Sequence, residues 1–217
     1  MRMLSEAVFR SGDLPAQDRL AAVDELWAND AHPMRVISDT PERFRATVRM
    51  LDLGAVNVVG LAVSPCEVLR TPELIRRADP ELCSVIVPLN GRLVVSQAGR
   101  DRAVGADEPV LYDSSQPFRI RFSQGGGATR LLRAHIPRAL LGLPADGLER
   151  RLARPLPTGA GFEGLLTRFL TDVTSGSTAY RPQDLPRLGV LAQDLLTWSP
   201  TISKRTARCR ATRAEER

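Results

Sequence analysis

Between Cys83 and Phe122 the sequence reverses direction every few residues, and this stretch constrains the fold more than any other. Val85, Ile86, Val87 and Leu89 run into Asn90-Gly91, the strongest two-residue signal for a β-hairpin because both residues tolerate positive φ. Leu93, Val94 and Val95 lead away from it and end at Ala98-Gly99. Val110, Leu111 and Tyr112 enter the loop Asp113-Ser114-Ser115-Gln116-Pro117. Phe118, Ile120 and Phe122 then alternate with Arg119 and Arg121, the period-2 pattern of a strand with one buried face. Short antiparallel strands at this spacing predict a barrel or jelly roll. Alternate residues of such a sheet face inward, which makes Val85, Val87, Tyr112, Phe118 and Ile120 the candidate interior and ligand-lining positions. Tyr112 stands out among them, because a buried phenol hydroxyl needs a partner.

The flanks extend the pattern. Residues 1–16 read as a flexible N-terminus, and Gln17 to Ala28 as an amphipathic helix whose stripe is Leu20, Val23, Leu26 and Trp27. Thr40-Pro41-Glu42 resembles a helix start with proline at the first position, predicting a short helix through Phe44 and Val48. Ala55 to Ser64 and Glu67 to Thr71 read as strands, and Thr71-Pro72 to Asp79-Pro80 as a connection with a helical turn. Gly125-Gly126-Gly127 reads as a hairpin tip, from which Thr129 to Ile136 returns as a strand. At Pro137 the β pattern stops. Helical patterns follow at Arg138–Leu141, Gly147–Leu152, Phe162–Val173 and Asp184–Trp198. In the last, Leu188, Leu191, Leu195 and Trp198 recur at steps of three and four, a stripe suited to packing or dimerisation. The expected layout is α+β: an antiparallel barrel or jelly roll over 17–137, a C-terminal helical pair over 138–198, and a disordered basic tail over 199–217.

Several function classes find no support in the residues. No apolar run reaches membrane-spanning length and Met1-Arg2-Met3 opens no signal peptide, so a cytoplasmic chain without membrane contact is expected. Cys66, Cys83 and Cys209 are too widely spaced for a zinc motif or a disulfide framework. Most of the net charge of +5 sits in the tail, from Lys204 to Arg217, and the body is nearly neutral. That tail has no aromatic residue to stack on bases. Gly159-Ala160-Gly161-Phe162-Glu163-Gly164 fits GxGxxG, but Pro155 and Pro157 precede it where a dinucleotide fold needs a strand. The two histidines, His32 and His135, are far apart in sequence, form no HxH pair and stand beside no evident nucleophile. No catalytic residue, metal ligand or cofactor is therefore expected. The connection from Thr174 to Tyr180 is too long for a helix-turn-helix, and the helix after it lacks base-reading side chains.

A family resemblance emerges from particular blocks. They are Phe44-Arg45 ahead of Leu53-Gly54, Arg70-Thr71-Pro72 with Ile75-Arg76-Arg77, and Leu89-Asn90-Gly91 followed by Gln97-Ala98-Gly99-Arg100. The most specific is Leu111-Tyr112-Asp113-Ser114-Ser115-Gln116-Pro117-Phe118 before Arg121-Phe122, and Ile136-Pro137-Arg138 and Leu152-Ala153-Arg154-Pro155-Leu156 continue the match. From Gln17 to Trp198 the chain resembles the ligand-binding domain of AraC/XylS-type transcription regulators, in its AraC-binding-like branch. The resemblance implies a cupin-like barrel that senses a small-molecule effector, and a helical pair that dimerises through Leu188, Leu191 and Leu195. Where such regulators continue into a DNA-reading helix-turn-helix domain, this sequence turns into its Arg-rich tail. The expectation is a non-enzymatic sensor truncated before its DNA-binding part, without sequence-specific DNA binding of its own, that pairs as a homodimer or with a full-length relative. The alternatives are a cupin-type metal-binding protein or enzyme, or a non-functional remnant.

Overall fold

Aliphatic residues at alternate positions draw the chain into two antiparallel sheets that face each other. The computed structural model describes residues 6–123, 127–154, 161–175, 180–181 and 183–198. The strands are β1 (Ala7–Arg10), β2 (Arg35–Ile37), β3 (Ala46–Asp52), β4 (Asn57–Val63), β5 (Glu67–Arg70), β6 (Leu82–Pro88), β7 (Leu93–Gln97), β8 (Arg100–Val104), β9 (Val110–Asp113), β10 (Phe118–Phe122) and β11 (Thr129–Pro137). One sheet has the order β1-β3-β4-β11-β6-β9, the other β2-β5-β10-β7-β8. The helices are α1 (Arg19–Ala28), α2 (Pro72–Arg77), α3 (Ala145–Glu149), α4 (Phe162–Ser175) and α5 (Leu185–Trp198). This is the expected cupin-like sandwich with C-terminal helices.

Two apolar cores share the larger sheet. Between the sheets lie Phe44, Val59, Ile86, Val95, Tyr112, Phe118, Ile120 and Leu131, closed at one side by Val23 and Trp27 of α1. On the sheet's other face, Val58, Val85, Val87, Leu132 and Ile136 meet Leu166, Leu170 and Val173 of α4 and Ala192 and Leu196 of α5. Full burial of each such side chain is worth about 1.5–3 kcal/mol, so both interfaces contribute to holding the fold together. Gly189 lets α5 come close: a Cβ there would collide with the carbonyl oxygen of Leu53.

The structure departs from the sequence-based expectations in four places. Asn90-Gly91 does not close a hairpin. β6 pairs with β9 and β11, whereas β7 pairs with β8 and β10, so the turn carries the chain from one sheet to the other. Asn90 instead caps the end of β11, its Oδ1 accepting the Arg130 amide at 2.6 Å. The tight hairpin is at Ala98-Gly99, where φ values of 52° and 69° suit a type I′ turn. Second, the helix expected through Phe44 and Val48 is strand β3, flanked on both sides by β1 and β4. Sheet pairing overrides the helix-like start, leaving only a 3-10 turn at Pro41–Arg43. Third, the segment expected to be flexible carries strand β1 at Ala7–Arg10. β1 pairs with β3, and the buried Ser11 hydroxyl accepts the Ala46 amide at 2.8 Å. An exposed edge strand anchored inward by Phe9 leaves little alternation to read.

Fourth, Val85 and Val87 do not line the space between the sheets. They point to the helices, and Ile86 takes the inward position. Because β6 is covered on both faces, its apolar run carries no sign of which parity faces in. The Gly125-Gly126 part of the expected hairpin tip, the Pro155–Ala160 lead-in to α4 and the tail at 199–217 lie outside the described residues.

Candidate functional site

Strand β11 builds the site. Leu132, Ala134 and Ile136 face the helices, so Leu131, Arg133 and His135 face between the sheets, where Leu131 joins the inner core. Register places Ser84 beside His135, and Tyr112 beside Ser84, in one row across the inner face. His32, from the loop after α1, meets His135 from the opposite direction. Their ring centroids are 4.5 Å apart at 67°, an edge-to-face pair. Tyr112 packs edge-on against Phe118 of the facing sheet at 4.7 Å. Of the candidate lining residues, the fold therefore gathers Tyr112, Phe118 and Ile120 and leaves Val85 and Val87 outside.

The polar atoms here are short of partners. Tyr112 OH, His32 Nε2, His135 Nε2 and Arg133 Nε are all buried without a hydrogen bond. Leaving such an atom unpaired costs about 1–3 kcal/mol, and native interiors keep few of them. Of the opposite ring nitrogens, His135 Nδ1 shares a 2.6 Å hydrogen bond with Ser84 Oγ, whereas His32 Nδ1 lies 3.6 Å from Asp30 Oδ2, too far for a hydrogen bond. Burial above all, and then the charge of Arg133, hold both imidazoles well below the usual histidine range. Both rings are neutral at neutral pH.

A frame of satisfied polar groups surrounds this cluster. Arg70, 1% exposed, donates from Nε to Ser114 O at 2.6 Å, from Nη1 to Pro33 O at 2.7 Å and from Nη2 to Ala78 O at 2.6 Å. It thereby ties the loop carrying His32 to the loop after Tyr112. Gln97 exchanges hydrogen bonds with the backbone of Asp113, donating to its carbonyl at 2.7 Å and accepting its amide at 2.9 Å. Ser114 Oγ accepts the Leu82 amide at 2.9 Å. The block from Leu111 to Phe118 that carries the family resemblance thus sets one end of the sandwich. Nearby, a cavity of about 520 Å³ opens between α1 and the β1–β3 edge, lined by Phe9, Leu26, Trp27, Asp30 and Met50.

The two histidines are the residues that sequence reasoning passed over. The flag was present in β11, where Arg133 and His135 interrupt the buried apolar run from Leu131 to Ile136. What the sequence could not show was the return of His32 from the far end of the chain. Among the described residues no three His, Cys, Asp or Glu side chains gather as a metal site would require. Burial pushes the Cys66 and Cys83 thiols up to about 12, far from thiolate reactivity.

The sequence profile of the AraC-binding-like domain matches residues 23–198. The chain belongs to the AraC-binding-like family. Among curated proteins none matches its sequence. The crystal structure of the AraC-like transcriptional activator CuxR superposes with a TM-score of 0.74 at 18% identity, over 90% of this chain and 69% of that one. The Cupin_2 domain of an XRE family transcriptional regulator from Enterobacter cloacae matches 43% of this chain and 98% of its own, at 17% identity and a TM-score of 0.36. In this AraC-binding-like domain the candidate dimer stripe divides. Leu188 and Leu195 pack on the domain's own core, whereas Leu191 is 51% exposed. Val190, at 59%, stands next to it on the outer side of α5. No described helix is long and apolar enough to cross a membrane.

Proposed function

We propose that this AraC-binding-like domain is the effector-sensing and dimerising part of a transcription regulator, with its small-molecule site between the two sheets. The observation that carries the reading is the convergence of His32, Tyr112, Arg133 and His135 with four buried polar atoms unpaired. A molecule that satisfied those atoms would supply the hydrogen bonds that no described protein group gives them. β11 supplies the path outward. Its inner residues Arg133 and His135 alternate with Leu132, Ala134 and Ile136, which bear on α4 and α5. A ligand that shifts the inner side chains shifts the seat of the helices. The exposed Val190 and Leu191 offer the dimer contact, either to a second copy or to a full-length relative. The domain acts as a sensor and not as an enzyme, and α5, with its inner side committed to the sheet, is not a DNA reader.

A thermal-shift screen of small metabolites tests the site, run on the full chain and on Tyr112→Phe and His135→Ala. Compounds that stabilise the parent and lose that effect in His135→Ala support the reading. Compounds that stabilise all three proteins equally overturn it.

A further inference from the structure

The cavity at the end of α1 carries a charge pattern that the inter-sheet cluster does not explain. Its volume of about 520 Å³ lies within the range of about 300–1,000 Å³ usual for small-molecule sites. The walls are apolar. Phe9 stands opposite Val48 on the inner face of the larger sheet, and Phe9, Leu26 and Met50 are only partly buried. The charged residues of the lining are Glu25 and Asp30, with Asn29 beside them and no Arg, Lys or His. In a chain of net charge +5 this is a local reversal of sign. The reversal falls where the backbone already favours a cation. A helix C-terminus bears partial negative charge, and α1 has no basic residue in its last turn to answer it.

The two carboxylates differ. Asp30 has partners: its Oδ1 accepts the Ala31 amide at 2.6 Å, and its charge and that of buried Arg70 act on each other. The Glu25 side chain makes no hydrogen bond or ion pair among the described residues. One negative charge, added to the negative end of α1, is left without a counter-charge beside an apolar hollow.

We propose that this cavity is a second ligand site, which takes a small organic monocation with an apolar body, its ammonium group beside Glu25 and its body against Phe9, Leu26 and Met50. An anion would meet only like charge in this lining. A second positive charge would find Asp30 already answered by Arg70. A metal ion would need several gathered ligands, and among the described residues no such group exists.

Calorimetry on the full chain with a matched series tests this: 2-phenylethylamine, the neutral 2-phenylethanol, 3-phenylpropanoate, and ethylamine without the ring. Phenylethylamine should bind at least about fivefold more tightly than phenylethanol or ethylamine, and phenylpropanoate should not bind. Glu25→Gln, at an exposed position, should erase the advantage of amine over alcohol. Ala22 also lines the cavity, so Ala22→Phe, or Met50→Trp if the first variant misfolds, should fill the hollow and weaken the amine at least about fivefold. Tyr112→Phe, in the inter-sheet cluster, should leave amine binding unchanged. Equal binding of amine and alcohol by the parent overturns the proposal, as does an amine preference that survives Glu25→Gln. No binding of the amine up to about 10 mM overturns it too. Loss of amine binding in Tyr112→Phe would move the ligand to the inter-sheet cluster and end the case for a second site. A peptide of residues 201–213 that binds through Glu25 when the amines do not would replace the small cation with a basic segment. The inter-sheet reading is decided separately, by His135→Ala in the metabolite screen.

Discussion

Arg70 shows how much of this fold hangs on a single side chain. Its guanidinium holds the carbonyl groups of Pro33, Ala78 and Ser114, three loops that no strand pairing joins. Arg70→Met should therefore lose about 4 kcal/mol, read as a drop in the urea midpoint, because buried carbonyls lose a charged donor. Arg70→Lys should recover little of it, since one ammonium cannot span the three acceptors. Gly189 is the opposite case, a residue defined by what it lacks. Although alanine is the better helix former by about 1 kcal/mol, Gly189→Ala should destabilise the domain by about 1–3 kcal/mol in chemical denaturation, because its Cβ meets Leu53 O. The neighbouring Val190→Ala, on the exposed side of α5, serves as the control and should change little.

At the level of elements, α5 presents two sides that one substitution series can separate. Val190→Asp with Leu191→Asp should leave the circular dichroism spectrum intact while shifting sedimentation towards monomer. Leu188→Ala and Leu195→Ala should instead lower stability by about 1–3 kcal/mol, because they rest on the domain's own core. The difference was invisible in sequence, where all three leucines share one helical stripe and only the sheet decides which of them it covers. Strand β10 was legible for the converse reason: Arg119 and Arg121 face solvent and Phe118, Ile120 and Phe122 the core, so alternation reports orientation directly. β6 hid its orientation because both of its faces are buried. Asn90-Gly91 was read correctly as a sharp turn and wrongly as a hairpin, since local φ preference fixes the bend and not the partner of the strand that leaves it. The candidate site suffered most, because it depends on contact between His32 and His135, which are far apart in the sequence.

For the molecule as a whole, the buried histidine pair sets the acid limit. Both imidazoles are depressed below their unfolded value of about 6.5, chiefly by burial and then by Arg133, with Arg70 also acting on His32 and Asp30 beside it. Below that pH the unfolded chain takes up protons that the folded chain refuses. Stability is therefore full above about pH 6.5 and declines as pH falls, by about 1.4 kcal/mol per unit for each ring until its folded value is reached. Melting temperature against pH should show this slope, and the double variant His32→Gln with His135→Gln should flatten it. The strand order carries a further consequence, for the time the chain takes to find this structure. Chain order alternates between the sheets, so β6 enters one, β7 and β8 the other, and β9 returns to the first. Among the described residues only β3 with β4 and β7 with β8 pair with an immediate neighbour in the chain, and the other pairings join strands further apart. Refolding followed by Trp27 fluorescence should share one slow rate with far-ultraviolet circular dichroism, without an early β-rich phase. A nascent chain of this kind completes its larger sheet only when β11 arrives to join β4 to β6.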